Sequence, residues 1–121
     1  MNRLIILAIA AIISLPAAAG NDKDNSSRHE RNYIVEGNKL YRQERYADAE
    51  VAYRKALQEN AMNEVAMFNL AASLLRQGSA SGESEKEATT ILSNLAKNAE
   101  NISIAENSFY NLGNIAFNSK D

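Results

Sequence analysis

Cysteine is absent from the 121 residues. Its absence excludes disulfides, thiolate metal sites, a cysteine nucleophile and a lipid-modified N-terminal cysteine. Tryptophan is missing too, and the single proline, Pro16, lies near the N-terminus, so nothing later in the chain interrupts a helix. One histidine, His29, stands alone in a polar stretch and cannot build a triad or a metal cluster. No charge sign dominates: 13 basic against 15 acidic residues give −2, without the basic signature of a nucleic-acid or anionic-membrane binder. Gly78-Ser79-Ala80-Ser81-Gly82 lacks the lysine of a phosphate loop. Glu83, Glu85 and Glu87 read as a solvated helix start. No cofactor, no metal and no catalytic apparatus are expected.

What is present begins with a leader. Met1-Asn2-Arg3 is a short positive start, and Leu4 to Ile13 is an uncharged run of Leu, Ile and Ala. Ser14-Leu15-Pro16 breaks the run, and Ala17-Ala18-Ala19 supplies small residues before Gly20. These are the three regions of a secretory signal peptide over 1–19. The apolar run is short of the roughly 20 residues that span a bilayer. A membrane-tethered assembly subunit with an uncleaved anchor is the alternative, and contact with a membrane is expected only in that case. Residues 20–30, polar throughout, read as a linker, and 31–121 as the domain.

The domain repeats. Residues 36–57 read EGNKLYRQERYADAEVAYRKAL, with Gly37, Tyr46, Ala49, Tyr53 and Ala56 at regular helical spacings. This resembles the tetratricopeptide repeat, a helix–turn–helix unit of about 34 residues. Its small residues at positions 8, 20 and 27 and aromatics at 17 and 24 align with those five in one register. A second unit opens with NEVAMFNLAASLLRQG, Ala71 taking the place of Gly37, and a third with AENSFYNLGNIAFNSKD, where Gly113 does. The extra length before Gly113 falls in the 78–84 turn, since Ala88 fits position 20, and in the link at 98–101. The resemblance implies an all-α solenoid of about two and a half repeats, near 30–63, 64–105 and 106–121, the last incomplete. Helices are expected near 31–43, 46–59, 64–77, 85–98 and 104–118. Asn63 marks one start, and two S-x-x-E capping boxes, Ser84–Glu87 and Ser103–Glu106, mark others.

Across nearly all of its length the chain also resembles the exported repeat proteins of the Bat (aerotolerance-operon) group. That resemblance implies a periplasmic or envelope-associated, non-catalytic scaffold whose protein partners include von Willebrand type A domain proteins. In such a solenoid the first helix of each unit lines a concave groove. The groove positions are Arg31, Ile34, Asn38, Tyr41 and Arg42, then Val65, Phe68, Ala72, Leu75 and Arg76, then Asn107, Tyr110, Asn114, Phe117 and Asn118. A partner peptide or domain is expected there, chiefly on Arg31, Ile34, Asn38, Tyr41, Arg42, Phe68, Arg76, Tyr110 and Asn114. The carboxylate clamp of chaperone-binding repeats is not expected: Asn38 and Asn69 match its amides, but Ile34, Asn107 and Asn111 replace its three basic residues. The last helix is expected to leave Leu112, Ile115, Ala116 and Phe117 without a following helix. Either further repeats or another molecule would cover them, a second copy of the chain included.

Cleavage after Ala19 is the prediction here. The mature envelope protein should start at Gly20 by intact mass; recovery of a species retaining Met1 and Arg3 would overturn it.

Overall fold

A computed structural model describes residues 25–78 and 81–119; the expected leader lies outside them. Among the described residues the chain is all-helical: α1 (Asn25–Arg42), α2 (Tyr46–Glu59), α3 (Glu64–Gln77), α4 (Glu83–Asn98) and α5 (Ile102–Ser119). None of these helices is long and apolar enough to cross a membrane.

Helices α2 and α3 have the expected bounds, and the other three begin earlier than expected. The stretch 25–30, expected as linker, forms the first turns of α1. Its Glu30 carboxylate accepts hydrogen bonds from the Asn60 (2.8 Å) and Asn63 side chains, which ties those turns to the α2–α3 corner. The two capping boxes do not form. Helix α4 starts at Glu83 behind Gly82, whose φ of 77° is left-handed, with no side-chain cap. Helix α5 starts at Ile102, ahead of Ser103, because Asn101 accepts from the Ile104 N–H at 3.2 Å. Asn63 does cap α3, accepting from the Ala66 N–H at 2.9 Å.

Neighbouring helices pack in chain order, and α3 also touches both α1 and α5. The direction of the first pair follows from its contacts: Asn38 meets Tyr53, and Glu30 meets Asn60, so advance along α1 is retreat along α2. Small residues are buried between the helices. Ala49, Ala56, Ala71 and Ala88 have no exposed surface. At Gly37 the approach is tight, for a Cβ there would lie 2.4 Å from the Tyr53 ring. Real side chains essentially never come that near, so the Tyr53 ring occupies the space a side chain would need.

The core is continuous from Ile34 through Tyr53, Phe68 and Leu92 to Ile115. Helix α3 lies at its centre, with every residue from Phe68 to Leu75 buried. A helix hydrophobic on all sides is one enclosed by neighbours. Helices α1 and α2 cover one flank of it, and α4 and α5 the other.

Helix α1 ends against its own geometry. Glu44 has φ 62°, the left-handed region, while the Arg45 N–H bonds back to the Leu40 carbonyl at 2.9 Å. Gly78 has the corresponding place after α3, with φ 53° and open space around it. Left-handed backbone costs a side-chain-bearing residue roughly 1 kcal/mol and glycine almost nothing. Glu44→Gly should therefore raise stability by about 0.5–1 kcal/mol in urea denaturation; a loss of stability would show that the Glu44 side chain has a compensating role.

Candidate protein-binding face

The expected groove residues separate into two sets. Ile34, Asn38, Tyr41 and Phe68 are buried, as are Ala72 and Leu75, so none of them forms part of an open groove surface. Arg42, Arg76, Tyr110 and Phe117 are exposed. Arg31, Val65, Asn107, Asn114 and Asn118 are half-buried. The correction has a physical cause: α1 touches α3, α3 is enclosed by its neighbours on both flanks, and these residues are buried within that stack.

Asn38 shows how the seam works. It is 4% exposed, and its Oδ1 accepts from the Tyr53 hydroxyl at 2.6 Å and from Asn69 Nδ2 at 3.0 Å. Three helices thus meet on one oxygen: α1 supplies it, α2 the hydroxyl and α3 the amide. Burial, the dominant influence, pushes the Tyr53 hydroxyl far above its ordinary pKa, so it remains a donor. The two amides that match a carboxylate clamp are consequently turned on each other and unavailable to a ligand.

The next seam keeps only part of this arrangement. By repeat register, Ala72 and Leu92 stand where Asn38 and Tyr53 stand, and Asn111 stands where Asn69 stands. Asn111 is 2% exposed, and its Oδ1 has no hydrogen-bond partner among the described residues. Ser73 and Ser108 likewise bury hydroxyl oxygens without partners there. The junction of α3 with α5 is therefore less well satisfied than that of α1 with α3.

The exposed cations lie at the C-terminal ends of the first helices. Arg42 ends α1, and Arg76 occupies the same repeat position near the end of α3. The Arg76 guanidinium stacks 4.9 Å from the centre of the Tyr46 ring, and that ring meets Tyr41 edge-on at 5.1 Å. Burial raises the Tyr41 pKa, and the nearby Arg76 charge partly opposes it. No carboxylate pairs with Arg42 or Arg76 among the described residues. By contrast, Arg54 is held by Glu50 (2.8 Å) and Glu87 (2.9 Å). Glu50 also takes a hydrogen bond from Gln77 at 2.8 Å, bracing α2 against the end of α3.

Two open clefts lie away from these cations. One, of about 580 Å³, runs between α1 and α2 on the flank away from α3, lined by Tyr33, Glu36, Leu40, Arg45, Asp48, Val51 and Lys55 among others. The other, of about 390 Å³, lies at the corner of Met62, Glu64, Asn98 and Glu100. Among the described residues no cluster of three or more His, Asp or Glu could hold a metal ion.

Sequence reasoning missed the corner carboxylates. Glu64 accepts from the backbone N–H groups of Glu100 (2.7 Å) and Asn101 (3.1 Å) just before α5, as Glu30 accepts from Asn60 and Asn63 just before α3. Glu30 and Glu64 are one repeat period apart, which was the available signal. Comparison with protein-family models, with curated proteins and with solved structures returned no match.

The two seams make a paired prediction. Asn69→Leu should lower stability by about 1–3 kcal/mol, since it removes a buried donor from a satisfied network. Asn111→Leu should be neutral or stabilising, since it deletes an oxygen that is already unpartnered. Equal losses for both substitutions in urea denaturation would show that Asn111 is as well bonded as Asn69.

Proposed function

We propose that the chain is a tetratricopeptide-repeat scaffold of the bacterial cell envelope that binds a partner protein and performs no chemistry itself. The observation that carries this reading is the pair Arg42 and Arg76. They are equivalent residues one repeat apart, both exposed and neither paired with a carboxylate among the described residues. Tyr110 on α5 is exposed as well, and Arg31 and Asn114 are half-buried. Arginine and tyrosine are residue types that concentrate binding energy at protein interfaces. A partner offering acidic side chains and an apolar anchor to this edge suits that chemistry. The repeat reading is supported by Gly37, Ala49, Ala56, Ala71 and Ala88, small residues buried between the helices. Resemblance to the Bat group makes envelope proteins with von Willebrand type A domains the partners to test first.

The test is direct. Arg42→Glu combined with Tyr110→Ala should weaken binding to a partner captured from envelope extract by about tenfold or more, with the helical circular dichroism unchanged. Unaltered affinity in a folded double variant would move the binding surface elsewhere, the cleft between α1 and α2 being the next place to look.

A further inference from the structure

Helix α5 has two opposite faces. Ile104, Ser108, Asn111 and Ile115 are buried against the rest of the molecule. At about 100° per residue, the opposite face carries Ile102, Glu106, Phe109, Gly113 and Phe117, flanked by Tyr110 and Ala116, with Glu106 toward its N-terminal end. The three aromatics are 61%, 74% and 56% exposed for Phe109, Phe117 and Tyr110 respectively. Ile115, expected on the open side, is 7% exposed and belongs to the core, while Leu112 is half-buried. So large an apolar face on one short helix points to an interaction site.

The spacing of that face says what it fits. Phe109 and Phe117 lie four residues on either side of Gly113. Reversing the helix about Gly113 exchanges the two phenylalanines, so the face is complementary to itself. Gly113 holds the repeat position of Gly37. A Cβ at Gly37 would strike the Tyr53 ring, whereas a Cβ at Gly113 would meet nothing within 4 Å. The seat that is filled in α1 is therefore open in α5, with an aromatic ring one helical turn to each side. Charge supports the same occupant. Glu106 is the only charged residue in α5, and in a reversed pair the two copies of it lie roughly 20 Å apart along the axis. Stacking head to tail on the α1–α2 flank would instead desolvate Glu36, Arg45, Asp48 and Lys55 against a helix with almost no charge to offer them.

We propose that α5 is a homodimer interface in which two copies pack antiparallel about a twofold axis at Gly113, each Phe109 lying against the Phe117 of the second copy. The three exposed rings present roughly 400 Å² per copy, taking about 200 Å² for a whole aromatic side chain. Pairing therefore buries at most about 800 Å² from these rings, the size of a weak, transient contact. A reversible dimer is expected, and roughly 10–100 µM is the range in which to look for it. The proposal does not involve Arg42 or Arg76, which lie on other helices, and shares only Tyr110 with the binding reading.

Sedimentation of the full chain purified from producing cells should show its mass doubling across that concentration range. Gly113→Leu should abolish the doubling while leaving the melting temperature unchanged or raised, because the site is open and leucine favours helix. Absence of cysteine makes cross-linking unambiguous. Gly113→Cys should form a disulfide-linked dimer. Phe109→Cys and Phe117→Cys should link to each other when mixed, and neither should link efficiently to itself. Arg42→Glu should leave the dimer intact, which separates this proposal from the binding reading. A monomer at every concentration, a dimer indifferent to Gly113→Leu, or efficient self-linking of Phe109→Cys would overturn it. So would protection of α5 in hydrogen exchange only when envelope extract is added, which would assign the face to a foreign helix.

Discussion

The approach of the Tyr53 ring to the Gly37 backbone constrains the whole first half of the molecule. The ring lies where any side chain at residue 37 would have to be, so the spacing and register of α1 and α2 are set together. The hydroxyl at its tip then reaches Asn38, which also receives Asn69 from α3. One aromatic side chain thus packs two helices and orients the oxygen on which the third docks. Burial raises the pKa of that hydroxyl above its ordinary value, which favours the protonated, donating form.

The later seam keeps the geometry with less of the chemistry. Ala72 and Leu92 fill the places of the asparagine and tyrosine with apolar groups, and Asn111 retains an oxygen that none of the described residues satisfies. What persists at both junctions is the corner carboxylate. Glu30 receives side-chain amides and Glu64 receives backbone N–H groups, each ahead of the next first helix. Glu106 occupies the same repeat position in α5 and is exposed there. The proposed antiparallel dimer leaves it near the end of the interface, in contact with water.

Much of this architecture was legible in the sequence. Gly37, Ala49, Tyr53 and Ala56 share one register, and the bounds of α2 and α3 follow from it. Helix starts were less legible. Capping boxes compete with other local solutions, and Gly82 and Asn101 supplied those before Ser84 and Ser103 could. The early start of α1 was hidden because residues 25–30 carry no apolar periodicity; their helical form goes with the hydrogen bonds of Glu30 to the next corner. The groove was half legible. A repeat position indicates which side of a helix a residue faces, but not how close the adjacent first helix comes. Asn38 is covered by Tyr53 and Asn69, and Phe68 is buried in the core, whereas Arg42 and Arg76 are exposed at the C-terminal ends of their helices.

The second helices of the two units are joined differently from the first helices, which touch α1 to α3 and α3 to α5. Helices α2 and α4 do not pack on each other, and the polar bridge recorded between them is the exposed pair Arg54–Glu87 at 2.9 Å. An exposed ion pair contributes at most about 1 kcal/mol and weakens as salt screens it. The α2–α4 side is therefore tied far more weakly than the packed neighbouring helices are. Raising ionic strength should weaken that bridge while leaving the buried contacts between the helices unaffected.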